Sequence, residues 1–142
     1  MRRSKLDIFL EQTSGQPRAL TRDEKQTYDR KWLETFARRV KKQTGQWVYN
    51  GYMWHTFSFE FVKARSGAEA IQLYEGEKST KYLILSDQDR HPSYLCDGME
   101  LIGAEVFDDD YYVVPFDYEW TMAFTHEQPE LGPYFVRKSW LK

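Results

Sequence analysis

Tyr28, Trp32, Phe36 and Val40 recur at every fourth residue, whereas Phe116, Tyr118, Trp120, Met122, Phe124 and His126 recur at every second. The first spacing lays a stripe along one side of a helix, and the second gathers large side chains on one face of a strand. A chain that changes period in this way has to pack a helix against a sheet. Helices early and strands late, with two further helices interspersed and no internal repeat, predict a single α+β domain over residues 1–142. Its expected architecture is N-terminal helices packed on a mixed, mostly antiparallel sheet of about five strands. Residues 1–18 are expected to form a loosely attached N-terminal helix.

Local signals place the elements. Residues 4–12 suit a short helix, followed by a loop at Ser14-Gly15-Gln16-Pro17. Thr21-Arg22-Asp23-Glu24 has the spacing of a capping box, and Lys41, Lys42 and Gly45 suit a helix end, so a helix is predicted over 22–43. The stretch from Trp47 to Phe59 is aromatic and β-branched, which predicts strand structure in which Asn50-Gly51 is either a tight hairpin turn or a bulge within one strand, the bulge being preferred. Ser66-Gly67-Ala68-Glu69 repeats the capping-box spacing and opens a helix through Tyr74, ended by Gly76. Strands are expected at 81–85, 93–96 and 111–114, the last hairpinned with the alternating run, and an edge strand at 134–136. Asp97-Gly98-Met99-Glu100 has cap spacing for a helix to about Phe107.

Composition narrows the class. The chain has 142 residues, 41% of them hydrophobic, enough for one core without a disulfide or a structural metal. A lone cysteine, Cys96, excludes an internal disulfide and suits a reducing cytoplasm. No apolar run is long enough for a transmembrane helix, and Leu6–Leu10 behind the basic Met1-Arg2-Arg3 contains Asp7 and is too short for a signal sequence. Phosphate-loop, dinucleotide and nucleophile-elbow patterns are absent. These readings predict a cytoplasmic protein with no cofactor and no membrane association.

The formal net charge of -2 hides an uneven distribution. Residues 1–50 carry 12 Lys+Arg and 6 Asp+Glu, whereas residues 87–130 carry one cation, Arg90, against 12 acids. Either the two segments pack together and neutralise each other, or the acidic one stays exposed to meet a basic partner.

Two strings stand out: Trp54-His55-Thr56-Phe57-Ser58, and a tail running Trp120-Thr121, Thr125-His126-Glu127, then Leu131-Gly132-Pro133-Tyr134-Phe135. Together they resemble a family of small bacterial proteins catalogued as a domain of unknown function. The resemblance implies a bacterial, intracellular α+β domain. It carries no established activity and assigns no residue a role.

Candidate chemistry centres on three histidines. If the strands bearing His55 and His126 are neighbours, both rings and Glu127 can face one site, a workable set for a zinc or iron centre or a histidine-based hydrolase. The competing reading has Thr125, His126 and Glu127 hydrogen-bond the turn into Gly132-Pro133. Cys96, just before the expected helix and with His91 upstream, invites a nucleophile reading, against which a buried, inert thiol is the plain alternative. Asp108-Asp109-Asp110 and Asp87-x-Asp89 lack calcium-loop spacing, so no metal is assigned to them. Arg38, Arg39, Lys41 and Lys42 make a basic helix end, but the aromatics lie in acidic stretches that repel phosphates, which argues against nucleic acid.

The leading expectation is therefore a non-catalytic protein-binding module, in particular an immunity- or antitoxin-type protein that neutralises a basic toxin domain. Asp87, Asp89, Asp108, Asp109, Asp110 and Glu119 would steer the partner, and Tyr111 and Tyr118 would anchor it. The alternative is a metal-dependent or histidine-based enzyme using His55, His126 and Glu127.

Overall fold

A computed structural model describes residues 4–13 and 17–141. Met1-Arg2-Arg3 and, but for Pro17, the expected loop at 14–17 lie outside the described residues. Strands β1 (Pro17–Ala19), β2 (Arg65–Ser66), β3 (Lys81–Ser86), β4 (Tyr94–Asp97), β5 (Tyr111–Pro115), β6 (Trp120–Phe124) and β7 (Tyr134–Arg137) form one sheet. Their order is β1-β4-β3-β5-β6-β7-β2. Every pairing is antiparallel, so the sheet is wider than the expected five strands and is not mixed. The two outermost strands are only three and two residues long and carry no periodic signal. Because β2 pairs outside β7, residues 134–137 are not the edge that the sequence suggested.

The central strands send alternate residues to two separate cores. Tyr82, Ile84, Tyr111, Val113, Trp120, Met122, Phe124 and Phe135 pack with α1 (Lys5–Gln12) and α5 (Gly67–Glu75). Leu83, Leu85, Tyr112, Val114, Ala123 and Val136 pack on the other face. That face is covered by α2 (Arg22–Phe36), α3 (Arg38–Thr44) and α4 (His55–Ser58). Each large side chain buried in this way contributes about 1.5–3 kcal/mol. A sheet covered on both faces explains why β3, β5 and β6 are buried almost throughout rather than half-exposed. Among the described residues, no helix is long and apolar enough to cross a membrane.

Capping boxes close the N-termini of two helices. Ser4 and Asp7 close a capping box on α1, Leu6 and Leu10 are buried, and the Tyr94 and Tyr111 hydroxyls donate to Asp7 (2.7 Å) and Ser4 (2.6 Å). This helix is thus docked on the sheet, where a loose attachment was expected. Thr21 and Glu24 form the expected box, but the predicted helix 22–43 breaks at Ala37, dividing α2 from α3. The Ser66 side chain makes no cap bond, and Glu69 instead pairs with Arg65 at 3.2 Å.

Two sequence expectations fail for physical reasons. The strand expected at 47–59 is a tight turn followed by a short helix. Asn50 (φ 54°) and Gly51 (φ 91°) both adopt the left-handed region, which closes a Tyr49–Tyr52 bridge and makes Asn-Gly a turn rather than a bulge. The aromatic residues beyond it are spaced for one helical turn, with Trp54 and Phe57 buried together. The helix expected from Asp97 to Phe107 shrinks to a single 3₁₀ turn at Ala104–Val106. Asp97 closes β4, and the Tyr82 and Tyr74 hydroxyls donate to the carbonyls of Glu100 (2.7 Å) and Ile102 (2.6 Å), holding this segment to the sheet.

Candidate functional site

β3, β5 and β6 are neighbours, and at one end of the sheet Ser86, Tyr111 and Phe124 stand side by side. The next residues in the chain are therefore brought together: Asp87 after β3, Asp110 before β5 and Thr125-His126 after β6. The Asp87 amide donates to the Asp110 carbonyl at 3.0 Å. Both aspartates are buried. Residues 51–58 lie across this end, held by both carboxylates. The Met53 amide donates to Asp87 Oδ2 at 2.9 Å, and the Trp54 indole Nε1 donates to Asp110 Oδ1 at 2.9 Å.

Asp110 also orients His126. Its Oδ1 accepts the His126 backbone amide at 3.0 Å, and His126 Nδ1 lies 2.8 Å from Oδ2. The carboxylate side chain is 1% exposed and the imidazole 39% exposed, so a buried charge holds a ring at the surface. Asp109 belongs to the same cluster: one ligand atom each from Asp109, Asp110 and His126 lies within 4.8 Å of the others. His91 Nε2 pairs with Asp109 Oδ2 at 2.8 Å. Burial raises the Asp109 carboxyl, but the His91 contact and the Asp110 amide outweigh it and hold the group below the usual carboxylate value.

Asp87 differs from Asp110. Tyr112 Oη and the Met53 amide both donate to its Oδ2, while Oδ1 has no hydrogen-bond partner. Burial raises its pKa despite those two donors, and it also drives the Tyr112 hydroxyl well above the usual tyrosine value.

An aromatic surface borders the cluster. Tyr52 packs on His126 (centroids 5.2 Å apart) and on His55 (5.7 Å), and the Arg90 guanidinium sits 4.7 Å from the Tyr52 ring centre. His55 continues to Phe59 at 4.8 Å, and Phe59 to Tyr49 at 5.2 Å. Phe59 and Tyr49 are 50% and 37% exposed. Burial lowers the His55 pKa, while nearby Glu127 and Asp110 oppose that shift. Its Nδ1 lies 2.6 Å from Ser58 Oγ.

The sequence-derived sites separate accordingly. His55 and His126 do come together, sharing Tyr52 and Trp54 as neighbours, although His55 sits on α4 and not on a strand. Glu127 is exposed and lies outside the Asp109–Asp110–His126 group. The turn reading holds for Thr125, whose hydroxyl donates to the Leu131 carbonyl, and for the Glu127 backbone, whose carbonyl accepts the Leu131 amide at 2.9 Å, while His126 turns to Asp110 instead.

Of the residues expected on an acidic contact face, Asp89, Asp108 and Glu119 are exposed and Asp109 is half-buried. Asp87, Asp110, Tyr111 and Tyr118 are buried, because they close the sheet end or fill the cores, and so present no contact surface. Cys96 lies in β4, where burial pushes its thiol up to about 12, against the nucleophile reading, and His91 turns to Asp109 and Tyr111.

Sequence reasoning missed the central role of Asp110. The signal available was its position directly before the apolar run Tyr111–Val114, which places a carboxylate at the end of a buried strand, where it needs hydrogen-bond donors.

No curated protein and no solved structure matches the chain. The family model described as a domain of unknown function, DUF4275, matches residues 20–135, a span that runs from α2 into β7 and includes every residue of the Asp110 cluster. The chain therefore belongs to the DUF4275 family.

Proposed function

We propose that this protein is a binding module that docks a basic protein partner through the surface running Tyr49–Phe59–His55–Tyr52–His126. The observation that carries this reading is the exposure of Phe59 and Tyr49 at the end of a continuous aromatic row. Large rings left open to water are good anchors, since an aromatic side chain has few rotatable bonds to order. The sign of the partner is argued from the balance of charge: Arg90 lies on Tyr52, but Glu60 and Glu127 are exposed beside this row, and Asp89 and Asp108 are exposed on the loops that reach Tyr52 and His126. These acids steer a Lys/Arg-rich surface into contact, and the rings bury on arrival. Neutralisation of a basic toxin domain is the specific form of this proposal.

The test is capture at low salt by the wild-type chain and by Phe59→Ala, Tyr49→Ala and Asp108→Lys. The reading expects one basic partner, released by high salt, retained poorly by the two aromatic variants and associating more slowly with Asp108→Lys. Equal retention by all four proteins would reject it.

A second, enzymatic reading is favoured by one observation, the buried carboxylate on His126 Nδ1. Such a pairing fixes the ring tautomer and leaves Nε2 available as a base. It assigns the chemistry to His126 and Asp110, with His55 and Glu127 as neighbours.

A further inference from the structure

We infer that Asp109, Asp110 and His126 form a binding site for one divalent transition-metal ion, with zinc the best match. The inference is independent of the docking proposal and concerns the chain by itself.

The group differs from a solvated acidic patch in three respects. First, its donors are mixed: an imidazole nitrogen and two carboxylates lie within 4.8 Å of one another, a set that suits zinc, manganese or iron better than calcium, which prefers six to eight oxygens. Second, each carboxylate is already oriented by a donor outside the group. The Trp54 indole fixes Asp110 Oδ1, and His91 Nε2 fixes Asp109 Oδ2. Outer partners of this kind hold metal ligands in place before the ion arrives. Third, one side is buried and the other open. Asp110 is 1% exposed while the His126 ring is 39% exposed, so protein supplies one side of the ion and water the other.

His126 Nδ1 and Asp110 Oδ2, now 2.8 Å apart, are the atoms between which the ion would insert. Their contact is the hydrogen bond that a bound ion would replace. Asp109 supplies the second carboxylate, and solvent the remaining positions.

The test uses the full chain stripped of metal and titrated calorimetrically with zinc chloride. One equivalent should bind. His126→Ala should weaken binding by more than the roughly tenfold to hundredfold loss typical of an outer partner. His91→Ala should fall within that range. Asp109→Asn gives a second ligand variant should His126→Ala fail to fold, which circular dichroism would reveal. In nitrogen-detected NMR, zinc should shift the imidazole resonances of His126. Failure to bind zinc, binding unchanged in both ligand variants, or a shift confined to His55 would each overturn the assignment. None of these outcomes touches the docking proposal, which is read from a partner and not from an ion.

Discussion

Asp87 and Asp110 lie at the same end of neighbouring strands, both buried, both beside the segment that carries Trp54. Their surroundings nevertheless differ. Asp110 spends both oxygens on named donors, an indole, a backbone amide and an imidazole. Asp87 has both donors on Oδ2 and leaves Oδ1 without any. Among the described residues the one comparable group is Asp29, whose Oδ1 is also unpartnered. A buried charge is tolerated where its acceptors are filled and strained where they are not. The difference separates a carboxylate that organises a surface imidazole from two whose main effect is on stability.

The largest test of this contrast is Asp110→Ala. It strips partners from Trp54 Nε1, the His126 amide and His126 Nδ1 at once. Urea unfolding at neutral pH should show a loss of about 2–4 kcal/mol, from the indole and amide donors left without an acceptor. A loss below about 1 kcal/mol would remove Asp110 from its central place.

Asp29 tests the opposite case. Burial lifts its carboxyl to about 6, against the pull of Lys25 at 2.5 Å. Because the folded chain prefers the protonated acid, the stability it contributes is complete below the ordinary value near 3.8 and is lost as pH rises through about 6. Asp29→Asn should flatten that part of the stability–pH curve by up to about 3 kcal/mol. A curve of the same shape in both proteins would refute the assignment.

Asp87→Asn should act in the same direction but more weakly. The raised Asp87 carboxyl likewise favours folding when protonated, so the amide should gain on the wild type as pH rises above the carboxylate range. The expected gain is about 1 kcal/mol, since an acceptor for Met53 and Tyr112 is retained. Thermal melts at pH 4 and pH 8 would measure it, and a loss at pH 8 would show that the charge is needed.

Phe59→Ala should have the smallest effect on folding, within about 0.5 kcal/mol. The ring is half exposed, so its removal should weaken docking while leaving unfolding by denaturant unchanged. A large loss of stability would make Phe59 a core residue and weaken the proposed surface.

Parts of this arrangement were legible in the sequence. The capping box at Thr21, the stripe through Trp32, Phe36 and Val40 and the alternation through Trp120, Met122 and Phe124 all depend on near neighbours in the chain. The break at Ala37 had no such signal. Over 47–59 the aromatic content predicts a strand, whereas Asn50 and Gly51 with positive φ close a turn and a helical turn follows. The acidic stretch misleads further. Asp108, Asp109 and Asp110 look alike in sequence, yet the first is exposed, the second half-buried and the third almost wholly enclosed.

Fold class, the start of the long helix at Thr21 and the alternation of the central strands follow from local order, because hydrophobic period and caps act over a few residues. The sequence also singles out His55 and His126. Long-range packing alone makes three strands end together, lets Asp110 reach both Trp54 and His126, and turns four of the eight expected contact residues inward. Those outcomes depend on strand order and register, which bring residues 54, 87, 110 and 126 together from distant parts of the chain. Burial then decides which aspartate is a surface charge and which is a fixed hydrogen-bond acceptor.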